Sequence, residues 1–254
     1  MKQHSTGSIS PLIVAAAAAL LIVATAAWLT RSAPEPQPAS VSQASPTNPK
    51  ELVRPIDATD HVYGNPAAPL VLIVYADFEC PFCSEYHDTL KLVAEQYGKD
   101  GRVAIVYRHM PIVTLHPKSP TYALASECVA QNAGNKGFWD FADLMYATIT
   151  PDTTLTSEDL TQLAQQAGVP ADDFRLCMRT SNLMSRVEKD FDEALEAGAS
   201  ATPFTVITTQ FQQVAREGMR DYRVVAGTVQ TMLRNLGDHA TVESDGRTMQ
   251  NMFE

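Results

Sequence analysis

The sequence predicts an α/β fold in which a small β-sheet is interrupted by a helical insert. Two observations carry that prediction. A strand–helix–strand unit with short joints occupies residues 68–112, and a strand–strand–helix unit occupies 202–237, with the residues between them reading as helices. Two strands joined tightly through a helix imply a parallel pair with a crossover, the arrangement of a sheet with helices packed against it.

The elements follow in order. "APLVLIVYADF" (68–78) is a continuous apolar run rich in β-branched side chains, the pattern of a strand buried on both faces. Pro81 then permits a helix to start, because the donors of a first turn have no intrahelical partner anyway. Tyr86, Leu90, Val93 and Tyr97 recur at three-to-four spacing and give that helix one buried face, with Gly98 as its stop. "RVAIVYRHMPI" (102–112) is the second strand. Helix periodicity marks 118–134, 137–149 and 156–168, the last opening on Thr156 or Ser157 with Asp159 placed to cap it. Residues 170–198 cover one long helix or two, "TPFTVITT" (202–209) returns to strand, 210–218 is a turn with a further strand, and 221–237 is a closing helix. The polar stretch 239–254 reads as a loose tail.

Ahead of this domain (54–238) stand a short segment 1–8, an apolar segment 9–31 and a linker 32–53. From Pro11 to Thr30 there is no charge, and about 20 such residues suffice for a helix to cross a bilayer. The run is longer than a cleaved signal needs, so a membrane anchor is favoured, with a signal peptide cut near Ala33 as the alternative. Either way the rest of the chain is expected outside the cytoplasmic membrane. The linker is rich in proline and serine and reads as a spacer. Of the 254 residues 45% are apolar, ample for one core, and the formal charge of -10 comes without a basic block. That balance removes the cheapest source of affinity for phosphates, and no nucleic-acid partner is expected.

The chemistry lies in "CPFC", Cys80 to Cys83. In a helix beginning near Pro81, Cys80 sits at the N-terminus, where unpaired N–H groups and the helix dipole favour a thiolate. Cys83 lies a turn further in, suited to resolving a mixed disulfide. Structural zinc wants four ligands, whereas the other cysteines stand alone and the histidines lack paired spacing, so neither a metal nor another cofactor is expected. A staple between Cys80 and Cys83 closes too short a loop to constrain the unfolded chain much. Redox exchange is the reading that remains. Cys128 and Cys177 fall far apart within the helical insert. In an oxidising compartment they are expected to form a structural disulfide, worth roughly 4 kcal/mol on the chain-entropy model, with two buried unpaired thiols as the alternative. His87 reads as an ordinary helix residue, His109 and His116 as solvated loop residues, and Phe138, Trp139, Phe141 and Tyr146 as core of the insert.

"DFECPFC" after an apolar strand, "RHMPIVTLHP", a helical insert and "SATPFTV" together resemble the DsbA-like thiol:disulfide oxidoreductases of the thioredoxin superfamily, over roughly residues 54–237. CPxC alone is moderately specific; with Thr202-Pro203 at the head of a later strand it is highly so. The resemblance implies a thioredoxin-like fold with a helical insertion at about 118–185. It also implies Cys80 as exposed nucleophile and Cys83 as resolving thiol, supported by Pro81, Phe82, Thr202 and Pro203. Pro203 matches a cis-proline that turns the backbone edge of Thr202 toward the thiols, where a substrate strand could pair. Two departures stand out. Val74 occupies the position where such enzymes commonly bury an acid as a proton relay, and Phe82 stands where the best-known oxidases carry a histidine. Less extreme acidification of Cys80 follows. Asp77 and Glu79 are close in sequence, and negative charge beside a thiolate would oppose its ionisation. The activity implied is dithiol oxidation of thiol-containing exported proteins by a monomer that a membrane redox partner reoxidises. A reductase or isomerase would use the same residues, and a non-catalytic chaperone the same groove.

Overall fold

A computed structural model describes residues 51–150 and 153–250, with side chains described as far as 237. The expected anchor or signal segment (9–31) and all but the end of the linker lie outside the described residues; among those described, no helix is long and apolar enough to cross a membrane.

Five strands form one sheet in the order β1-β3-β2-β4-β5. They are β1 (His61–Gly64), β2 (Leu70–Ala76), β3 (Val103–His109), β4 (Phe204–Thr209) and β5 (Gln213–Glu217). β2 and β3 run parallel, joined by helix α1 (Pro81–Tyr97), and every residue of both strands is buried. β1 pairs antiparallel with β3, β4 with β2, and β5 with β4. Between β3 and β4 come α2 (Ser119–Thr148), α3 (Ser157–Gln166), α4 (Ala171–Thr180) and α5 (Met184–Glu196), and α6 (Tyr222–Gln250) follows β5.

Alternation along the strands divides the apolar side chains between two cores. Leu72, Val74, Ile105 and Tyr107 face one side, where α1 and the helical layer cover them with Leu90, Val93, Phe138, Phe141 and Met145. Val71, Ile73, Tyr75 and Val106 face the other, against Phe204 and Ala194. Each large side chain so buried is worth about 1.5–3 kcal/mol relative to exposure. The second core also holds charge. Arg108 is fully buried, with Nε and Nη2 donating to Asp60 at 2.9 and 3.0 Å and Nη1 to Glu193 at 2.9 Å. Arg54 joins it by donating to Asp60 and Asp190 at 3.1 and 2.9 Å.

The structure differs from the sequence reading in three places and decides between its alternatives in one, residues 170–198. β1 is an additional strand: four residues on a sheet edge are too short for an alternating pattern to show. The helices expected at 118–134 and 137–149 join as α2, broken only at Gly134, whose φ of 68° a side chain would resist. Residues 170–198 divide into two helices at the non-helical Ser181. α6 continues past Gly237 to Gln250, so the segment expected as a loose tail is helical that far. The helix opening at Ser157 carries the capping box, Thr156 Oγ1 accepting from Asp159 N at 3.2 Å while Thr156 N donates to Asp159 Oδ2 at 2.8 Å. Cys128 and Cys177 are bonded to each other and tie α2 to α4.

Candidate active site

Register places the site. The last pair between β2 and β4 is Tyr75 with Phe204, so the chain leaving β2 and the chain entering β4 meet at one end of the sheet. Cys80 lies just beyond the first, and the cis Thr202-Pro203 peptide just before the second. Cys80 is the N-cap of α1, in extended conformation (φ −76°, ψ 116°), with Pro81 opening the helix. Its carbonyl accepts from the amides of Cys83 and Ser84 at 3.0 and 3.3 Å, which fixes the turn between the thiols.

Both cysteines are free thiols and both are buried, Cys80 at 4% exposure and Cys83 at 2%. Cys80 is therefore not the exposed nucleophile that the resemblance implies. The backbone before Pro203 covers it, and the Cys80 thiol donates to the Thr202 carbonyl at 3.5 Å. The exposed residues of the turn are Pro81 and Phe82, the latter at 58%.

The two thiols differ in acidity. A hydrogen bond from Cys83, helped by Thr202 and the amides of Cys83 and Phe82, outweighs burial and lowers the Cys80 pKa to about 6. Burial, reinforced by the neighbouring Cys80, pushes the Cys83 thiol well above its ordinary value. One turn of helix thus holds a thiol ready to ionise beside one that resists ionisation.

Asp77 and Glu79 turn away from this chemistry. Asp77 accepts from Glu79 N at 2.8 Å, Ile112 N at 2.9 Å, His116 Nδ1 at 2.8 Å and the Ser119 hydroxyl. Glu79 accepts from Lys118 N at 2.7 Å and Ser119 Oγ at 3.2 Å. Between them they pin the loop after β3 to the CPFC turn. His116 is consequently half-buried and paired rather than solvated.

His109 also departs from its expected setting, whereas His87 lies on α1 as expected. His109 ends β3 at 1% exposure and shares Glu127 Oε1 with His61, at 2.9 and 2.6 Å, while Arg186 Nε stands 3.3 Å from the same oxygen. The ligand atoms of His61, His109 and Glu127 lie within 4.8 Å of one another, close enough for a metal. Both histidines hydrogen-bond Glu127 Oε1, while Arg186 Nε and Nη2 beside them are buried without a hydrogen-bond acceptor among the described residues. Burial opposes ionisation of Glu127, but the hydrogen bonds from His109 and His61 hold its carboxyl well below the usual range. Burial also lowers the His61 pKa, against the pull of Glu127. His87 is buried on α1, and its Nε2 lies 2.6 Å from Asp143 Oδ1. The sequence separations of these pairs, 66 residues for His61–Glu127 and 56 for His87–Asp143, leave no local signal to find them by. Phe138, Phe141, Trp139 and Tyr146 are buried as core of the helical layer.

Comparison with known proteins matches this arrangement. The Thioredoxin_4 family model, described as Thioredoxin, matches residues 57–221. The structure of Pseudomonas aeruginosa DsbA2 is similar at 26% identity and a TM-score of 0.57, covering 70% of this chain and 97% of that one. Oxidised BdbD from Bacillus subtilis shares the fold at 23% identity and a TM-score of 0.59, over 69% of this chain and 93% of its own. Among curated relatives, Na(+)/H(+) antiporter NhaA 1 of Mycolicibacterium gilvum is 35% identical over 156 residues, which is 60% of this chain and 24% of that protein. Na(+)/H(+) antiporter NhaA of Herminiimonas arsenicoxydans is 32% identical over 189 residues, 73% of this chain and 28% of its own length. The chain spans only about a quarter of these longer proteins, and what their names say of antiport is said of them. The family match takes in Cys80, Cys83, Thr202 and Pro203, and the chain belongs to the thioredoxin superfamily as a DsbA-like protein.

Proposed function

We propose that the protein is an extracytoplasmic thiol:disulfide oxidoreductase that works as a dithiol oxidase on exported proteins. The observation that carries the reading is the opposed acidity of two thiols one turn apart, Cys80 lowered to about 6 and Cys83 raised. An acidic Cys80 is a good leaving group and stabilises the reduced enzyme, which makes the disulfide form the stronger oxidant. A substrate thiolate attacks Cys80 of the disulfide and Cys83 departs. The substrate's second thiolate then attacks the substrate sulfur of the mixed disulfide and releases Cys80 as thiolate. Pro81 shapes the turn, Thr202 and Pro203 present a backbone edge to an extended substrate, and exposed Phe82 offers it an apolar contact.

The uncharged run before residue 31 supports tethering at the membrane with the domain outside, or export after cleavage. A membrane redox partner would restore the disulfide, and the enzyme would act as a monomer. The test is the equilibrium potential of Cys80–Cys83 in glutathione buffers, measured on the purified full chain. A value near about -120 to -180 mV supports the oxidase; one near about -270 mV assigns the same cysteines to reduction. Thiols that never exchange with glutathione would leave only a binding role.

A further inference from the structure

We propose that His87, backed by Asp143, is the proton acceptor for the Cys83 thiol, through one water molecule held in the cavity between them. The proposal rests on the disulfide-exchange reading and supplies a step that reading lacks. Cys83 must shed a proton before it can attack a mixed disulfide at Cys80, yet it is buried, and the β2 residues lining the cavity beside it, Val74 and Ala76, are apolar.

A cavity adjoins both residues. Its volume, about 10 Å³ as open to the centre of a water molecule, suits a single water. Its walls include Val74, Cys83, His87, Tyr107, Trp139 and Tyr146. Most of the lining is apolar, but a water there has partners. The indole N–H of Trp139 is buried without an acceptor among the described residues, and the Tyr107 and Tyr146 hydroxyls stand 3.3 Å apart. A buried water makes about three hydrogen bonds, and this set with the Cys83 thiol supplies them.

His87 follows Cys83 by one helical turn and so shares its face of α1. Its ring packs on Tyr146 at 4.8 Å and Trp139 at 5.9 Å between centroids. With Nε2–H donated to Asp143 at 2.6 Å, the ring's lone pair is on Nδ1, where a proton can be received. Asp143 then faces an imidazolium and stabilises it, while Lys91 Nζ holds the other carboxylate oxygen at 2.5 Å. The Asp143 side chain is 42% exposed, at a surface groove shared with Ser84, Asp88 and Lys91, so the proton has a way to solvent. The titratable groups around His87 are Cys83, Tyr86 and Lys91 from α1, Tyr146 from α2 and Tyr107 from β3, which share its cavity, with Asp143 of α2 on Nε2. Asp77 stands beyond, in the turn before α1.

The step balances in both directions. When a mixed disulfide at Cys80 is resolved, the Cys83 proton passes through the water to His87. The Cys83 thiolate bonds to Cys80 Sγ, and the substrate sulfur leaves with the electron pair of the broken S–S bond. When a substrate thiolate opens the Cys80–Cys83 disulfide, Cys83 departs as thiolate and His87 imidazolium returns the proton.

The experiment mixes the reduced full chain with excess dithiobis(2-nitrobenzoate) in stopped flow. Cys80 releases a first thionitrobenzoate on forming the mixed disulfide, and Cys83 releases a second on displacing it. In the wild type the second phase should rise with pH and level off. In His87→Gln it should be about 10- to 100-fold slower at neutral pH and climb with hydroxide without levelling. The first phase should keep its rate, which a merely disordered site would not allow. Asp143→Asn, a change at a half-exposed side chain, should slow the second phase as well, because the ring loses the carboxylate that holds Nε2–H and balances the imidazolium. A second phase with wild-type rate and pH profile in either variant overturns the proposal. A wild type without any second phase overturns the exchange reading instead.

Discussion

The acidity of Cys80 is borrowed from Cys83, and removing the lender tests it. The Cys83 hydrogen bond is the largest influence lowering Cys80 from 9.0 to about 6. A hydrogen bond to a charged group is worth about 1.5–3 kcal/mol, or about 1–2 pKa units. Cys83→Ala should therefore raise the Cys80 midpoint into the range of about 7–8. The assay is the pH dependence of alkylation of the reduced protein by iodoacetamide, with Cys80 the only free thiol in the variant. The sign extends to stability. Because folding depresses this pKa, the ionised thiol contributes above its unfolded value of 9.0, and the contribution is lost as pH falls through about 6. At pH 7 about 1.4 kcal/mol remains, equivalent to about 30 mV of added oxidising power for a two-electron couple. If the variant keeps the wild-type midpoint, the acidity comes from the helix N-terminus alone and the reasoning fails.

Further expectations concern stability. Replacing Cys128 and Cys177 by alanine opens a loop of 49 residues and should cost about 4 kcal/mol on the chain-entropy model, read as a lower urea midpoint under non-reducing conditions; a loss under about 1 kcal/mol would refute it. Arg108→Ala removes two hydrogen bonds to Asp60 and one to Glu193, leaving Arg54 as the remaining cation on Asp60, and should cost about 3–5 kcal/mol in the same assay, whereas a loss within the range of surface substitutions would show that the network carries little. Stability should fall with acid in two stages. His61, whose folded pKa lies below its ordinary 6.5, destabilises the fold as pH drops through 6.5, and Glu127 does so below its ordinary 4.5. A melting temperature flat from pH 7 to about pH 5 would contradict the first stage, and one flat from there to about pH 3 the second.

What the sequence showed and hid follows from how far apart the interacting residues lie. β2 and β3 were legible because both faces are buried and nothing interrupts the apolar run except Arg108 and His109. Those two interruptions are where the buried charge enters, and their partners at Asp60, Glu193 and Glu127 lie 48, 85 and 18 residues away. The CPFC turn was legible because a helix start is a local matter of Pro81 and spacing. The burial of Cys80 was not, because its cover is a carbonyl 122 residues downstream. The kink of α2 at Gly134 was half-visible, as a break between two helical patterns rather than as a continuous helix with one left-handed residue.

The same division separates what sets the direction of exchange from what sets its speed. The hydrogen bonds that ionise Cys80 come mainly from its own turn, and they persist as long as the dithiol does, so they enter the equilibrium between dithiol and disulfide. The groups around Cys83 come from β2, β3 and α2, and they matter while a proton is in transit. A proton acceptor that ends each cycle as it began cancels from the equilibrium. His87 and Asp143 should therefore change the rate of the Cys83 step while leaving the potential of Cys80–Cys83 nearly unmoved. Cys83→Ala removes the couple itself, and Thr202 substitutions should shift potential and rate together, since Thr202 touches Cys80 in the dithiol. Measuring both quantities on one panel of variants would show this. A His87 variant whose potential moves as much as its rate would place the residue among the groups that stabilise charge at the thiols, rather than on the path by which the proton leaves.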